Sequence, residues 1–227
     1  MRQINEIKKC QKDIPDLLYL YVTRKYSKYF TALCYALGLH PNILTYGMFV
    51  FGIIGSSFFA TGTIWSFNLG AAAFIFLNLL DTSDGELARL MNNSSKNGAA
   101  LDKLVHLFTN PLMIISLGIG LWKLTTQEIW LYISAATLAF YVMGYGLKTY
   151  RTAPSNQTAS RIYLLFKLIF DFQAFWHLTF IFTAAALIFH SEIMPFWIFY
   201  TACFLGIIIL KTAIEFHNFL RRSRAAK

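Results

Sequence analysis

The chain has 227 residues, of which 56% are hydrophobic and 14% charged, and its net charge is +9. Soluble domains carry about a quarter charged residues, so this composition excludes an ordinary soluble protein and indicates a membrane protein. Basic loops on the cytoplasmic side of a membrane explain the positive charge, and we expect no nucleic-acid partner. The three cysteines have neither the spacing of metal ligands nor a pattern that indicates disulfides.

Residues 1–40 are predicted to form a cytoplasmic N-terminus and a helix that lies in the membrane interface. The segment Leu17–Leu37 is largely apolar but contains three cations within positions 24–28. A helix with this many charges is unsuited to crossing a bilayer and suits the region of anionic head groups. Gly38 is expected to end this helix, and Pro41 to begin the next one.

Six apolar runs follow, and each is long enough for a helix that crosses a bilayer, which takes about 20 residues. They extend from Ile43 to Ala60, Phe67 to Met91, Gly98 to Leu121, Ile129 to Leu147, Ile162 to Phe189 and Ile193 to Phe216. The sequence therefore predicts an all-α, polytopic bundle of about six transmembrane helices over residues 41–220, with a basic cytoplasmic tail over 221–227. Because the connections are short, we expect helices that follow one another in the chain to be neighbours in the bundle.

Basic residues are concentrated on one side of the predicted bundle. They occur in the N-terminus, in the 91–98 and 148–161 loops and in the tail, whereas Lys123 is the one basic residue in the connections on the other side. Cytoplasmic loops carry an excess of Lys and Arg, so an even number of crossings with both ends in the cytoplasm satisfies this asymmetry. We expect a multi-pass protein of a bacterial inner membrane or an equivalent membrane.

Ionisable residues occur at the end of the second run and the beginning of the third. Residues three and four apart share a helix face, so the second helix presents two carboxylates beside two small residues: Asp81, Asp84, Gly85 and Ala88. The third helix presents three residues at steps of four: Gly98, Asp102 and His106. Two antiparallel neighbours would bring the three carboxylates and the histidine together near the cytoplasmic surface.

Converging carboxylates in an apolar setting repel one another unless they are protonated or bound to cations. Oxygen ligands suit hard divalent metals, which in turn attract a diphosphate. Gly85, Ala88 and Gly98 would let a flat base and its ribose approach the helix backbones closely. The alternative is structural: polar side chains join helices that small residues allow to pack tightly.

The spacing of these residues resembles the signature of the CDP-alcohol phosphotransferase family, D-x2-D-G-x2-A-R-x8-G-x3-D-x3-D. Seven positions match in order: Asp81, Asp84, Gly85, Ala88, Arg89, Gly98 and Asp102. The resemblance extends to the head of the first span, where Pro41, Asn42 and Thr45 lie, and to the interfacial helix and the six spans. It covers most of the chain, and the last third matches in general hydropathy.

The resemblance implies a homodimeric membrane enzyme that transfers a substituted phosphate group from a CDP-alcohol to an acceptor hydroxyl and releases CMP, in the biosynthesis of membrane lipids or glycolipids. It implies a dinuclear Mg²⁺ or Mn²⁺ site, held by Asp81, Asp84 and Asp102, that binds the CDP diphosphate. It also implies a nucleotide site lined by four further residues of the signature, Gly85, Ala88, Arg89 and Gly98. Asn42 and Thr45 are expected beside this nucleotide site.

His106 stands where the family signature has a fourth aspartate, the residue that removes the proton of the acceptor. Histidine can act as the general base, to which its ordinary pKa of about 6.5 is suited. It can instead be a metal ligand that favours Mn²⁺, Zn²⁺ or Co²⁺ over Mg²⁺. A third reading is an impaired site that binds CDP-alcohols without turning them over. We expect an active enzyme in which His106 is the base and Asp102 also serves catalysis.

Neither the donor alcohol nor the acceptor follows from the sequence. Seven polar residues are candidates for the acceptor pocket: Lys103, Lys148, Arg151, Arg161, Lys167, Asp171 and His177. Arg151 and Arg161 are equally explained as cytoplasmic anchors. Lys167 and Asp171, four residues apart, are equally explained as a structural ion pair.

Two other classes of protein stay open. A prenyl-transferring membrane enzyme would also hold a diphosphate through Mg²⁺ and aspartates, but it usually has two distant aspartate-rich motifs. A transporter or channel would need polar residues along a transmembrane path, whereas the outer half of this bundle is almost entirely apolar.

Overall fold

The computed structural model describes residues 2–11, 18–149, 172–188 and 194–225. Within these ranges the chain forms α-helices and no β-strand. The helices are α1 (Arg2–Cys10), α2 (Leu18–Ala36), α3 (Pro41–Thr61), α4 (Ile64–Leu90), α5 (Lys96–Thr125), α6 (Ile129–Thr149), α7 (Phe172–Ile188) and α8 (Met194–Ala225). The predicted all-α class is confirmed.

Five helices in the described part of the chain are long and apolar enough to cross a membrane, namely α3, α4, α5, α6 and α8. Helix α7 contributes a shorter apolar segment, His177–Ile188. The first ten residues of the fifth predicted run, 162–171, lie outside the described ranges. Five spanning helices and a shorter apolar one confirm the predicted polytopic membrane bundle.

Helix α2 ends and helix α3 begins close to the residues that the sequence indicated. Gly38 follows α2 with a φ of 66°, a left-handed conformation that favours glycine. Pro41 is the first residue of α3, where its missing N–H leaves no hydrogen bond unmade. At the other end of the chain, α8 continues through residues 221–225, which are the first part of the predicted tail.

The N-terminal segment contains two helices, of which one was predicted. The predicted interfacial helix Leu17–Leu37 is α2. Residues Arg2–Cys10, interpreted from the sequence as a polar start, form α1, in which Ile7 is completely buried. Ile4, Ile7 and Cys10 recur at steps of three, a short helical period that the sequence interpretation overlooked. Both helices pack against α4.

Helix α3 brings α4 and α5 together. It packs against both, and its glycines allow close approach: a Cβ at Gly52 would collide with Thr109 of α5 and lie 3.3 Å from Leu77 of α4. Helices α4 and α5 pack on α3 more than on each other, and they meet where His106 Nε2 lies 3.5 Å from Asp81 Oδ1. Helix α4 also packs against α7, and α6 against α8.

Aromatic side chains fill the bundle where α3 ends and α4 begins. We call this region the aromatic end, and it consists of Phe59, Phe67, Phe74 and Trp197. The Phe59 ring stacks on Phe74 with centroids 5.7 Å apart, and Phe67 contacts Trp197 at 4.6 Å. All four side chains are essentially inaccessible to solvent.

Candidate metal and nucleotide site

The candidate site lies at the opposite end of the bundle, where α4 ends and both α3 and α5 begin. Helix α5 begins after Ser95, whose hydroxyl accepts a hydrogen bond from the Gly98 amide at 3.0 Å. Asp102 and His106 therefore lie in the second and third turns of α5. The last turns of α4 carry Asp81 and the residues of the signature that follow it.

Asp81, Asp102 and His106 come together across α4 and α5. His106 Nε2 lies 3.5 Å from Asp81 Oδ1 and 3.4 Å from Asp102 Oδ1. One potential ligand atom from each residue lies within 4.8 Å of the other two. We call these three residues the Asp–His cluster.

The Asp–His cluster fits a divalent metal ion. Asp102 Oδ1 is buried and has no hydrogen-bond partner in the described part of the chain, although His106 Nε2 lies 3.4 Å away. A buried carboxylate oxygen without a partner is costly, and a cation would satisfy it. Two carboxylates with one imidazole nitrogen suit Mn²⁺, and the carboxylate oxygens also suit Mg²⁺.

Asp84 is held by α3. Thr45 Oγ1 donates a hydrogen bond to Asp84 Oδ2 at 2.9 Å, and Thr45 is almost completely buried. Asp84 is not one of the three residues of the Asp–His cluster. Its carboxylate is nevertheless close enough to those of Asp81 and Asp102 for the like charges to repel one another. Thr45, which was predicted to lie beside the nucleotide, thus orients one of the predicted metal ligands.

Asn42 and Gly98 lie side by side at the beginnings of α3 and α5. A Cβ at Gly98 would be 3.8 Å from Asn42 Oδ1. His40 was not predicted to belong to the site. Its Nδ1 accepts a hydrogen bond from the Asn42 backbone amide at 3.2 Å, and its Nε2 lies 2.9 Å from the Asn93 side-chain amide. His40 joins the start of α3 to the loop after α4. A polar side chain directly before a helix-initiating proline is the signal that indicates such a cap.

Arg89 lies across Gly85. A Cβ at Gly85 would approach Arg89 Nη1 to 3.2 Å. The Arg89 Nε donates a hydrogen bond to the carbonyl oxygen of Cys10, the last residue of α1. The Ala88 carbonyl oxygen accepts a hydrogen bond from the Asn93 amide at 2.8 Å, at the end of α4. The predicted nucleotide residues of α4 therefore lie beside α1 and the α4–α5 loop.

Glu86 is the second residue that sequence analysis missed. It occupies a variable position of the signature, yet its side chain is 1% exposed. Its carboxylate accepts hydrogen bonds from three side chains of the N-terminal segment: Gln11, Ser27 and Thr31. The one sequence signal is the spacing of Ser27 and Thr31, which places two hydroxyls on one face of α2.

The predicted acceptor residues are described in part. Lys103 is exposed on α5, and its carbonyl oxygen accepts a long hydrogen bond of 3.4 Å from Tyr145 of α6. His177 lies on α7, and Lys148 belongs to the described backbone of α6. The remaining candidates lie outside the described residues: Arg151, Arg161, Lys167 and Asp171.

The family model for CDP-alcohol phosphatidyltransferases matches residues 38–208. A comparison with curated proteins finds no match. The matched range covers well over half of the chain and contains the whole signature together with helices α3 to α7. The chain is therefore an integral membrane protein that belongs to the CDP-alcohol phosphatidyltransferase family.

Proposed function

We propose that this protein is an active transferase that moves a substituted phosphate group from a CDP-alcohol to an acceptor hydroxyl and releases CMP. The observation that carries the proposal is the convergence of Asp81, Asp102 and His106 from two helices, beside the buried Thr45–Asp84 pair. Family membership supports phosphatidyl transfer in lipid synthesis in general. The catalytic unit is the bundle of residues 41–220.

In the proposed reaction, the acceptor oxygen attacks the phosphorus that carries the donor alcohol. The bond from this phosphorus to the oxygen that bridges the two phosphates breaks, and CMP leaves with that oxygen. His106 takes the proton of the acceptor hydroxyl, the role of the fourth aspartate of the family. Because Nε2 lies within 3.5 Å of the Asp81 and Asp102 carboxylates, we assign the proton transfer to Nδ1.

We further propose that Asp81, Asp84 and Asp102 hold the metal, in a dinuclear site, with His106 as a candidate fourth ligand. Bound there, Mg²⁺ or Mn²⁺ would neutralise the charge of the diphosphate and stabilise the departing CMP. Asn42, Gly85, Ala88, Arg89 and Gly98 would line the donor site. Their positions around the beginnings of α3 and α5 and the end of α4 support this assignment.

The test is CMP release from a panel of radiolabelled CDP-alcohols by the purified protein, with and without a chelator. We expect release with at least one donor, and we expect chelation to abolish both release and CDP binding. Asp84→Asn and Asp102→Asn should weaken CDP binding measured by titration. CDP affinity that survives chelation would contradict the metal-bridged site.

His106 also motivates a second candidate function, a binding protein with an impaired site. An imidazole stands here where the family signature has a carboxylate, so the site has one negative charge fewer with which to hold metal ions. If the wild type binds CDP-alcohols without releasing CMP, and His106→Asp releases it, the binding protein is the correct function.

The site is proposed to open toward the cytoplasm. The exposed residues Ser94 and Gln127 lie in loops at opposite ends of the bundle. In a variant without native cysteines, Gln127→Cys should react with an impermeant thiol reagent on intact cells, and Ser94→Cys should react after permeabilisation. Labelling of Ser94→Cys on intact cells would show that the topology is the reverse of the proposed one.

The homodimer implied by the family is tested by cross-linking in the membrane.

A further inference from the structure

The carboxylate of Glu86 connects the signature helix to the N-terminal segment. Glu86 Oε1 accepts hydrogen bonds from Gln11 Nε2 at 2.7 Å and Ser27 Oγ at 2.8 Å, and Oε2 accepts one from Thr31 Oγ1 at 2.8 Å. Ser27 and Thr31 are completely buried. The Glu86 side chain is thus shielded from solvent, and its described partners come from the residue after α1 and from α2.

The same N-terminal segment contacts Arg89, three positions further along α4. The Arg89 Nε donates to the Cys10 carbonyl oxygen, directly before Gln11. A carbonyl at a helix C-terminus carries a partial negative charge, which favours a guanidinium. Arg89 therefore has its Nε on α1 while its Nη1 lies beside Gly85.

We propose that Glu86 is a positioning residue of the donor site. By holding Gln11 and α2 on α4, it places the Cys10 carbonyl where it orients Arg89 across Gly85. Arg89 is then prepared to contact the nucleotide before the donor arrives. This inference rests on the proposed function, because it assigns the purpose of the contact to donor binding.

Burial of a carboxylate favours positioning over simple packing. Taking a charge out of water is costly, and an apolar side chain of similar volume at position 86 would avoid that cost. Unlike an apolar side chain, the carboxylate sets the positions of its partners. Its two oxygens accept directional hydrogen bonds from three donors, one in the residue after α1 and two on α2. A change at Glu86 should therefore affect the geometry of Arg89 more than the formation of the Asp–His cluster.

The experiment measures donor binding and turnover by full-length Glu86→Leu in detergent with Mn²⁺. The Kd and the KM for the CDP-alcohol should both rise about tenfold, because a tenfold change corresponds to the loss of about one charge-assisted hydrogen bond from Arg89. The kcat should stay within about twofold of the wild-type value. Glu86→Gln should keep affinity near that of the wild type, because the amide oxygen can accept from Gln11 and Ser27 while the NH2 group donates to a turned Thr31 hydroxyl. Glu128→Leu, the same change at an exposed residue, should leave Kd unchanged.

A second variant acts from the other helix and tests the inference even if Glu86→Leu fails to fold. Ser27→Ala combined with Thr31→Val removes two donors and should raise Kd in the same direction. Donor affinity equal to that of the wild type in either variant would overturn the inference. A tenfold fall of kcat with an unchanged KM would also overturn it. A wild type that binds no CDP-alcohol would instead overturn the proposed function, before any variant is compared.

Discussion

The two ends of the bundle are stabilised by different kinds of contact. At the aromatic end, the buried rings of Phe59, Phe67 and Trp197 pack against one another and exclude water. At the site end, apolar packing is joined by polar side-chain contacts, from the Thr45–Asp84 hydrogen bond to the Asp–His cluster. A charge or an unsatisfied oxygen inside a bundle is costly and is retained where it serves a function. The aromatic end therefore carries the stability of the fold, and the site end carries its chemistry.

The clearest way to sharpen this comparison is to remove His106. We expect His106→Ala to lower kcat by about 10²–10⁴-fold, the usual contribution of a general base, while CDP affinity and thermal stability stay close to those of the wild type. His106→Asp, the residue of the family signature, should retain activity with Mg²⁺. CMP release by the three proteins with Mg²⁺ and with Mn²⁺ measures this.

Two outcomes would change the role of His106. Unchanged turnover in His106→Ala would exclude the base. A wild type active with Mn²⁺ alone, together with a His106→Asp variant active with either ion, would favour a metal ligand instead.

Gly120→Ala should have the opposite effect from His106→Ala, because it changes the aromatic end alone. A Cβ at Gly120 would collide with the Phe59 carbonyl oxygen and lie 2.9 Å from the Phe67 ring. Backbone atoms cannot move aside, so we expect a loss of about 1–3 kcal/mol in the free energy of unfolding, with an unchanged KM.

The matched control is Gly206→Ala. Outside its own helix backbone, no heavy atom of the described residues lies within 4 Å of a Cβ at Gly206, so this change should be neutral or slightly stabilising in a helix. Thermal unfolding in detergent compares the two variants. Equal melting temperatures for both would disprove the view that close packing at the aromatic end stabilises the bundle.

Thr45→Val tests the polar contacts at the site end with a smaller change. It keeps the shape of the side chain but removes the hydrogen bond to Asp84, so we expect donor affinity with Mg²⁺ to fall about tenfold. Thr45→Ser should keep most of the affinity. Thr109→Val is the control, because the buried Thr109 hydroxyl has no hydrogen-bond partner among the described residues. An equal effect at both positions would mean that buried hydroxyls near the site do not differ in function.

The smallest expected effect belongs to Lys123, a charged residue of the end opposite the site. Its Nζ donates to the Ala60 carbonyl oxygen at 2.8 Å, near the C-terminus of α3. Because a cation at a helix C-terminus is worth little when exposed, Lys123→Met should cost about 0.3–1 kcal/mol of unfolding free energy. Lys211→Met, on an exposed face of α8, should cost less. Equal melting temperatures for the two variants would exclude a capping role for Lys123.

Regular spacing made much of the fold and part of the site predictable. The apolar runs identified the spanning helices within a few residues, because each must satisfy its own backbone hydrogen bonds in a membrane. The face of Asp81 and Gly85 followed from helical geometry alone. From the sequence, Lys123 was notable only as a basic residue on the less basic side of the bundle. Its hydrogen bond to the Ala60 carbonyl oxygen depends on how α5 packs against α3.

The contacts that cross between helices were not predictable. Thr45 was expected near the nucleotide from the family resemblance, but its bond to Asp84 spans 39 positions of the chain. Glu86 lies 75 positions from Gln11 and gave no local sign of burial. Glycines on α3 let both α4 and α5 approach that helix closely, and the sequence did not indicate that α3 would be their main partner.

By itself, the sequence determined the membrane class, the helices and the ordered set of carboxylates, because hydrophobicity and helical period act within one segment at a time. The tertiary structure decided which side chains meet. The nearness of His106 to both Asp81 and Asp102, and of Glu86 to α2, depends on the rotation and separation of helices. Close packing among several segments sets those quantities, and no single segment encodes them.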